Sequence, residues 1–340
     1  MTPDAEATTA AYGRPSLTGA GAERLARGPW RVAVIGASGW LGLATLEMLR
    51  DLFGARFFER VVCYGSTART LILRDGLSVE QRPLSDLPAL PAAPTLALHL
   101  AFLTQEKAKT MPEADYVEAN RAISAAVLAA LDGIGAEAVF VPSSGAVTLV
   151  DDDGAQPSMR LYGRLKLEDE AAFSGWASSR RRRAVIARVF NLSGPYINKQ
   201  SSYALACFIA DALSGGPVSV RATRPVLRSY VAISDLMSVV FALLTDGEKG
   251  PVLFDTAGER EYEMTEIAEV VVDTLARGIG IDRPAIDPAA PDRYVGDGRL
   301  FARLARRFDV SLTDFPTQIR DTAVFMARPD DGRRETASSR

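Results

Sequence analysis

"RVAVIGASGWLGLATLEMLRDLFG", residues 31–54, is the stretch whose reading decides the fold. Residues 31–35 make a short β-branched run, Gly36, Gly39 and Gly42 follow at three-residue spacing, and an apolar helical period then runs from Leu41 to Leu52. Strand, tight turn and helix in this order build a dinucleotide site. The first glycine turns the chain, the second lets a pyrophosphate approach the backbone, and the third lets helix and strand pack closely. The helix dipole then faces the phosphates. Glycine triplets recur in many α/β turns, and the position of this one between a strand and a helix is what gives it weight.

The next strand, "RVVCYGSTAR" at 60–69, ends where an Asp or Glu would hold the adenosine ribose hydroxyls of NAD. Gly65, Ser66, Thr67 and Arg69 stand there instead. Hydroxyls and a guanidinium suit the 2′-phosphate of NADP, which a carboxylate would repel, so NADP is favoured over NAD. A polar loop with a solvated Arg69 is the plainer alternative. Further along, "TLALHLAF" (95–102) reads as a buried strand, 113–131 as an amphipathic helix, "AEAVFVPSSGAV" (136–147) as a strand running into a loop, and 160–175 as a helix. The alternation predicts an α/β protein with a Rossmann-like, doubly wound parallel sheet.

"LYGRLKLEDE", 161–170, places one of only five lysines among 39 basic residues four positions after a tyrosine. On a helix, Tyr162 and Lys166 share a face. A phenol ionises near pH 10, and an adjacent ammonium is expected to lower that value and make Tyr162 a usable acid or base. Arginine's wide planar fork is less suited to reaching past the phenol to a cofactor ribose. Upstream, Ser143 or Ser144 should emerge at the carboxyl edge of the sheet, where a hydroxyl can hold a substrate oxygen. Two turn-forming serines would look the same.

With these residues in view the chain resembles the extended short-chain dehydrogenase/reductases, a group of nucleotide-sugar epimerases, dehydratases and 4-ketoreductases. The resemblance covers roughly 31–327 and rests on GASGWLG at 36–42, HLA at 99–101, YVEAN at 116–120, SSGAV at 143–147, YGRLK at 162–166 and ARVFNLSGPY at 187–196. It implies a catalytic set of Ser144, Tyr162 and Lys166. It implies cofactor contacts from Gly36, Ser38, Gly39, Trp40, Leu41 and Gly42, from Leu100 and Ala101, and from Tyr162 and Lys166, beside Ser66 and Arg69. Substrate contacts are implied for Ser144, for Asn191 and Arg228 on a diphosphate, and for Arg293 as a second nucleotide contact, with Asp235 a structural partner. A homodimer is expected on the same ground. Family dehydratases carry Asp-Glu directly after the catalytic hydroxyl residue. Gly145 and Ala146 stand there instead, which speaks against dehydration by that route.

The resemblance also implies two lobes, residues 29–190 plus about 225–258 for the dinucleotide, and about 191–224 plus 259–327 as a smaller, discontinuous C-terminal substrate lobe. Residues 1–28 read as a disordered tail and 328–340 as a frayed end. The Pro-rich 283–293 reads as an extended surface crossing.

A chain of 340 residues with 47% hydrophobic and 24% charged residues is that of a globular protein. Its net charge of −3 gives neither a nucleic-acid footprint nor a polybasic membrane surface. No apolar run approaches a membrane span. Cys63 and Cys207 lie in apolar surroundings without metal-ligand spacing, as expected of two buried thiols in a reducing cytoplasm. The lone His99 excludes a His-rich metal site, and no metal is expected. Three functions follow: an NADP-dependent reductase of a nucleotide-linked keto sugar, an epimerase that oxidises and re-reduces one carbon with a retained cofactor, and a dinucleotide-sensing binding protein without chemistry. The last needs none of Ser144, Tyr162 and Lys166.

Overall fold

The computed structural model describes residues 13–287 and 290–327. Strand β1 (Arg31–Ile35) carries four consecutive buried apolar residues, Val32 to Ile35, so it lacks polar alternation and must be covered on both faces. Val32 and Val34 enter one core cluster and Ile35 enters the other. Along the chain, helix α1 (Gly19–Arg27) precedes β1, and α2 (Trp40–Phe53), β2 (Val61–Gly65), β3 (Arg69–Ile72), β4 (Ser78–Pro83) and β5 (Thr95–His99) follow it. Next come α3 (Glu113–Leu131), β6 (Ala136–Ser144), α4 (Pro157–Arg180) and β7 (Arg183–Val189). Pro157 at the first turn of α4 lacks only an N–H that the helix could not have used.

Beyond β7 the chain builds β8 (Leu192–Ser193), α5 (Ala204–Ser214), β9 (Val218–Ser219), β10 (Val226–Arg228) and β11 (Val231–Ala232). It then returns to the main sheet through α6 (Ile233–Leu244) and β12 (Gly250–Asp255). The last elements are β13 (Tyr262–Glu263), α7 (Met264–Leu275), β14 (Ile281–Asp282), β15 (Asp292–Tyr294), α8 (Arg299–Arg307) and α9 (Phe315–Met326). Helix α7 starts at a capping box, in which Glu263 accepts from the Thr265 N–H and Glu266 accepts from the Glu263 N–H, both at 2.8 Å.

The main sheet has the order β12-β7-β6-β5-β1-β2-β4-β3, parallel throughout except for β3, which runs antiparallel to β4. Helices α2 and α6 cover one face through residues such as Leu46, Leu49, Leu236 and Val240, while α3 and α4 cover the other through Val127, Leu131, Phe173 and Trp176. This is the predicted doubly wound α/β fold. A separate apolar cluster joins α5, α7 and α9 through Phe208, Ile267, Val271 and Ile319. The strand order reverses around β1 and β5, so the carboxyl ends of β1, β5, β6 and β7 open on one edge. Ligands bind at such an edge.

Two boundaries differ from expectation. Of the 1–28 tail, residues 1–12 lie outside the described residues, but 13–28 are ordered. Gly21 lets α1 approach α6 so closely that a Cβ there would stand 2.5 Å from the Ala242 nitrogen, and Leu25 is fully buried. Arg60 donates to the carbonyls of Gly28 and Trp30, which ties the end of α1 to the sheet. Helix α8, expected in the substrate lobe, belongs to the first core, because its apolar stripe of Phe301, Leu304 and Ala305 faces α6 and β12. Phe301 stacks on Phe254 of β12 at 5.8 Å. The 328–340 end lies outside the described residues.

Candidate active site

Gly36 ends β1 in the left-handed region, with φ +95°, and its N–H donates to the Tyr64 carbonyl at 2.7 Å. An added Cβ would lie 2.5 Å from the Ala101 nitrogen, so this turn presses directly on the end of β5 at Leu100 and Ala101. Gly42 is needed for packing, because a Cβ there would meet the Gly36 and Ala37 carbonyl oxygens at 2.5 Å. Gly39 differs from both. Its nearest neighbour would be the Gly36 oxygen at 3.5 Å, an ordinary contact, so the protein itself does not require a glycine there. It stands at the N-cap of α2 without a capping side chain, next to the exposed Ser38. An open helix N-terminus stripped of side-chain bulk fits a pyrophosphate. At the end of β2, Ser66, Thr67 and Arg69 are exposed, with the Arg69 guanidinium 3.3 Å from the Thr67 hydroxyl.

Ser144 is the last residue of β6. Its Oγ accepts from the Ala146 N–H at 3.1 Å and lies 3.3 Å from the Tyr294 hydroxyl. Tyr162 and Lys166 rise from α4 on one face. Lys166 is buried, donates from Nζ to the Pro142 carbonyl at 3.0 Å and sits over the Phe102 ring, 3.6 Å from its centre and 5.9 Å from the centre of the Tyr162 ring. Burial pulls this lysine down to about 8, against the opposing pull of Asp169 and Glu170. The Tyr162 phenol is pushed up, first by burial and then by the nearby phenols of Tyr294, Tyr116 and Tyr203, while the Ser144 hydroxyl works the other way. The expected lowering of Tyr162 by Lys166 is therefore reversed, since desolvation dominates and the ammonium is engaged by Pro142 and Phe102.

These groups form the floor of a cleft of about 670 Å³. Phe102, Phe190 and Tyr294 make its walls, and Asn191, Arg221 and Arg228 lie along it. Over residues 32–254 the chain matches the family model described as NAD dependent epimerase/dehydratase family. The chain belongs to that family. Its fold aligns with UDP-N-acetylglucosamine 4-epimerase from Methanobrevibacter ruminantium at a TM-score of 0.67 and 18% identity, covering 87% of this chain and 97% of that one. The UDP-glucose 4-epimerase of Thermus thermophilus, solved with NAD, aligns at 0.63 and 18%, covering 87% and 98%. UDP-glucuronic acid decarboxylase 3 of Arabidopsis thaliana is 31% identical over 106 residues, 31% of this chain and 30% of that protein. The match thus spans less than a third of that relative.

Within this epimerase/dehydratase chain, the Asn191 amide donates to the carbonyls of Ser229 and Tyr294, at 3.2 and 3.3 Å, and ties three segments of the cleft together. Arg228 donates to the Asp292 carbonyl at 3.0 Å and its guanidinium lies 5.8 Å from the centre of the Tyr294 ring. Arg293 does not join them. It alternates with Tyr294 along β15, leaves by the opposite side and pairs with Glu261 at half exposure. Asp235 is buried and accepts from the backbone and hydroxyl of Thr313, a structural contact. Tyr294 and Phe190 are the residues that sequence reasoning missed; Phe190 lies within the quoted 187–196 motif, whereas Tyr294 directly follows the Pro-rich 283–293 stretch, where nothing in the sequence marks a cleft wall.

A Cβ on Gly145 would meet Phe190 at 2.4 Å and Tyr294 at 2.8 Å, so aromatic rings fill the space where family dehydratases carry a carboxylate. Cys63 is buried and pushed up to about 12, but Cys207 is only half-buried and borders the cleft, with its thiol on the Gln200 carbonyl. His99 is buried against Ser124, and burial followed by the Lys166 charge pushes it down to about 3, leaving a neutral imidazole. Among the described residues no cluster of His, Cys, Asp and Glu could hold a metal, and no helix is long and apolar enough to cross a membrane.

Proposed function

We propose that this protein is an NADP-dependent oxidoreductase that reduces the 4-keto group of a nucleotide-linked sugar. The observation that carries the reading is the meeting of Ser144, Tyr162 and Lys166 on the floor of one cleft, with aromatic rings in place of a dehydratase carboxylate. The turn at Gly36–Gly42 would hold the pyrophosphate, and Ser66 and Arg69 the 2′-phosphate. The cofactor, when bound, supplies the hydride. Tyr162 gives its proton to the carbonyl oxygen as the carbon is reduced, and Ser144 donates a hydrogen bond to the same oxygen. A phenol pushed upward by burial rests protonated, which suits a proton donor. The phenolate left behind shares its helix face with Lys166, whose Nζ lies 5.9 Å from the centre of the Tyr162 ring. Asn191 and Arg228 would hold the diphosphate at the outer part of the cleft.

The test is consumption of NADPH with a panel of UDP- and dTDP-linked 4-keto sugars. Tyr162→Phe should lose about 10²- to 10⁴-fold in kcat with cofactor binding intact. Interconversion of epimers without net cofactor consumption would replace this reading with the epimerase.

A further inference from the structure

Beneath the three reacting groups lies a carboxylate that none of the steps above uses. Glu170 stands on α4, one turn beyond Lys166 and two beyond Tyr162, and it is buried. The Ser143 hydroxyl donates to its Oε1 at 2.5 Å. The Arg188 guanidinium donates to both oxygens, from Nε to Oε1 at 2.8 Å and from Nη2 to Oε2 at 2.7 Å. Ser143 and Arg188 are opposite each other in the β6–β7 register, and the next pair is Ser144 with Val189. One side chain therefore ties together the strand that ends in Ser144, the helix that carries Tyr162 and Lys166, and the strand that leads into Phe190 and Asn191.

We propose that Glu170 is a positioning residue, a buried clamp that holds the ends of β6 and β7 against α4 so that Ser144, Tyr162 and Lys166 converge on one substrate oxygen. The proposal rests on the assignment of that trio as the reacting groups. The geometry is specific for a carboxylate. A bidentate guanidinium needs two acceptor oxygens, and the hydroxyl needs a third lone pair on the same group. Glutamine at 170 would offer one acceptor oxygen and turn an N–H₂ toward Arg188. Aspartate would keep the charge but fall short of Ser143 and Arg188 by one methylene.

Glu170 also acts on charge. Lys166 is faced by Tyr162, Asp169 and Glu170 on its own helix, by the neutral His99 of β5, and by Arg188 of β7 only through Glu170, while Asp169 accepts from Ser124 of α3 at 2.6 Å. Burial works against the ammonium, and the two carboxylates oppose it. Removing one of them leaves Lys166 easier to deprotonate.

The small number of lysines makes this measurable in the whole protein. With ¹³C at the lysine ε-carbon, five signals are expected, and Lys166→Arg identifies the one that matters. Glu170→Gln should move the Lys166 titration down by about one pH unit and lower kcat about 10- to 100-fold, with KM within about threefold. Glu170→Asp should leave the titration near that of wild type while kcat still falls, because charge is kept and reach is lost. If Glu170→Gln does not fold, Arg188→Lys carries the test, with lowered kcat and an unmoved Lys166 signal. An unmoved titration and wild-type kcat in Glu170→Gln overturn the proposal, as does wild-type kcat in a folded Arg188→Lys. Absence of any turnover in wild type would tell against the assigned reaction, and the Lys166 titration would still report on Glu170.

Discussion

Lys166 Nζ lies 3.6 Å from the centre of the Phe102 ring, with its hydrogen bond spent on the Pro142 carbonyl. The ring face replaces water around the ammonium without offering an anion. A guanidinium would stay charged at every working pH and would need more than one acceptor in its plane. The lysine in "LYGRLK" is thus a compact, desolvated cation that can lose its proton near pH 8.

That property has a consequence for stability. In the unfolded chain the lysine keeps its proton to about 10.5, whereas in the fold it loses it near 8. Between these values the unfolded state binds more protons, so stability should rise with pH across that window, by on the order of 3 kcal/mol in total. Below pH 8 the burial cost is fully present. Cys63 and several phenols, pushed up by burial, pull the other way above about pH 9. The Lys166 part is therefore read as a difference: the wild-type urea midpoint should gain on that of Lys166→Met between pH 8 and about 10.5.

Two glycines of one turn should behave oppositely. Gly36→Ala forces a side chain into the left-handed region and against the Ala101 backbone, and should cost about 2 kcal/mol or more by urea unfolding. Gly39→Ala meets only an ordinary contact and should leave the unfolding midpoint near that of wild type. Its effect should appear in calorimetric titration, as dinucleotide binding weakened about tenfold or more by a methyl group at the open N-terminus of α2.

Arg69→Ala tests the proposed cofactor preference. Its guanidinium is exposed, with one 3.3 Å contact to Thr67, and is available to a 2′-phosphate. Loss of one charge-assisted contact, about 1.5 to 3 kcal/mol, should weaken NADPH binding about tenfold or more and leave NADH binding unchanged. Equal losses for both cofactors would point to the pyrophosphate or the loop instead.

Arg228 and Arg293 should separate cleanly with UDP as the probe. Arg228 borders the cleft, so Arg228→Ala should weaken UDP about 10- to 100-fold. Arg293 is paired with Glu261 away from the cleft, so Arg293→Ala should bind UDP as wild type does. The reverse order would mean that the diphosphate lies elsewhere.

By itself the sequence determined what is local and periodic. The Gly36–Gly39–Gly42 turn, the buried runs of β1 and β5 and the helix bounds 113–131 all follow from spacings of a few residues, and the i, i+4 rule put Tyr162 and Lys166 on one face. Tertiary structure decided whatever depends on distant segments meeting. Tyr294 reaches Ser144 across 150 residues, and Arg293 beside it faces away because β15 pairs with β10 in one register. Gly21 carries no sign of the Ala242 backbone it fits against, nor does α8 announce the first core. The clearest reversal is Tyr162. A nearby ammonium can be read from a spacing of four, but desolvation comes from every residue that excludes water around the phenol, and only the folded chain brings those together.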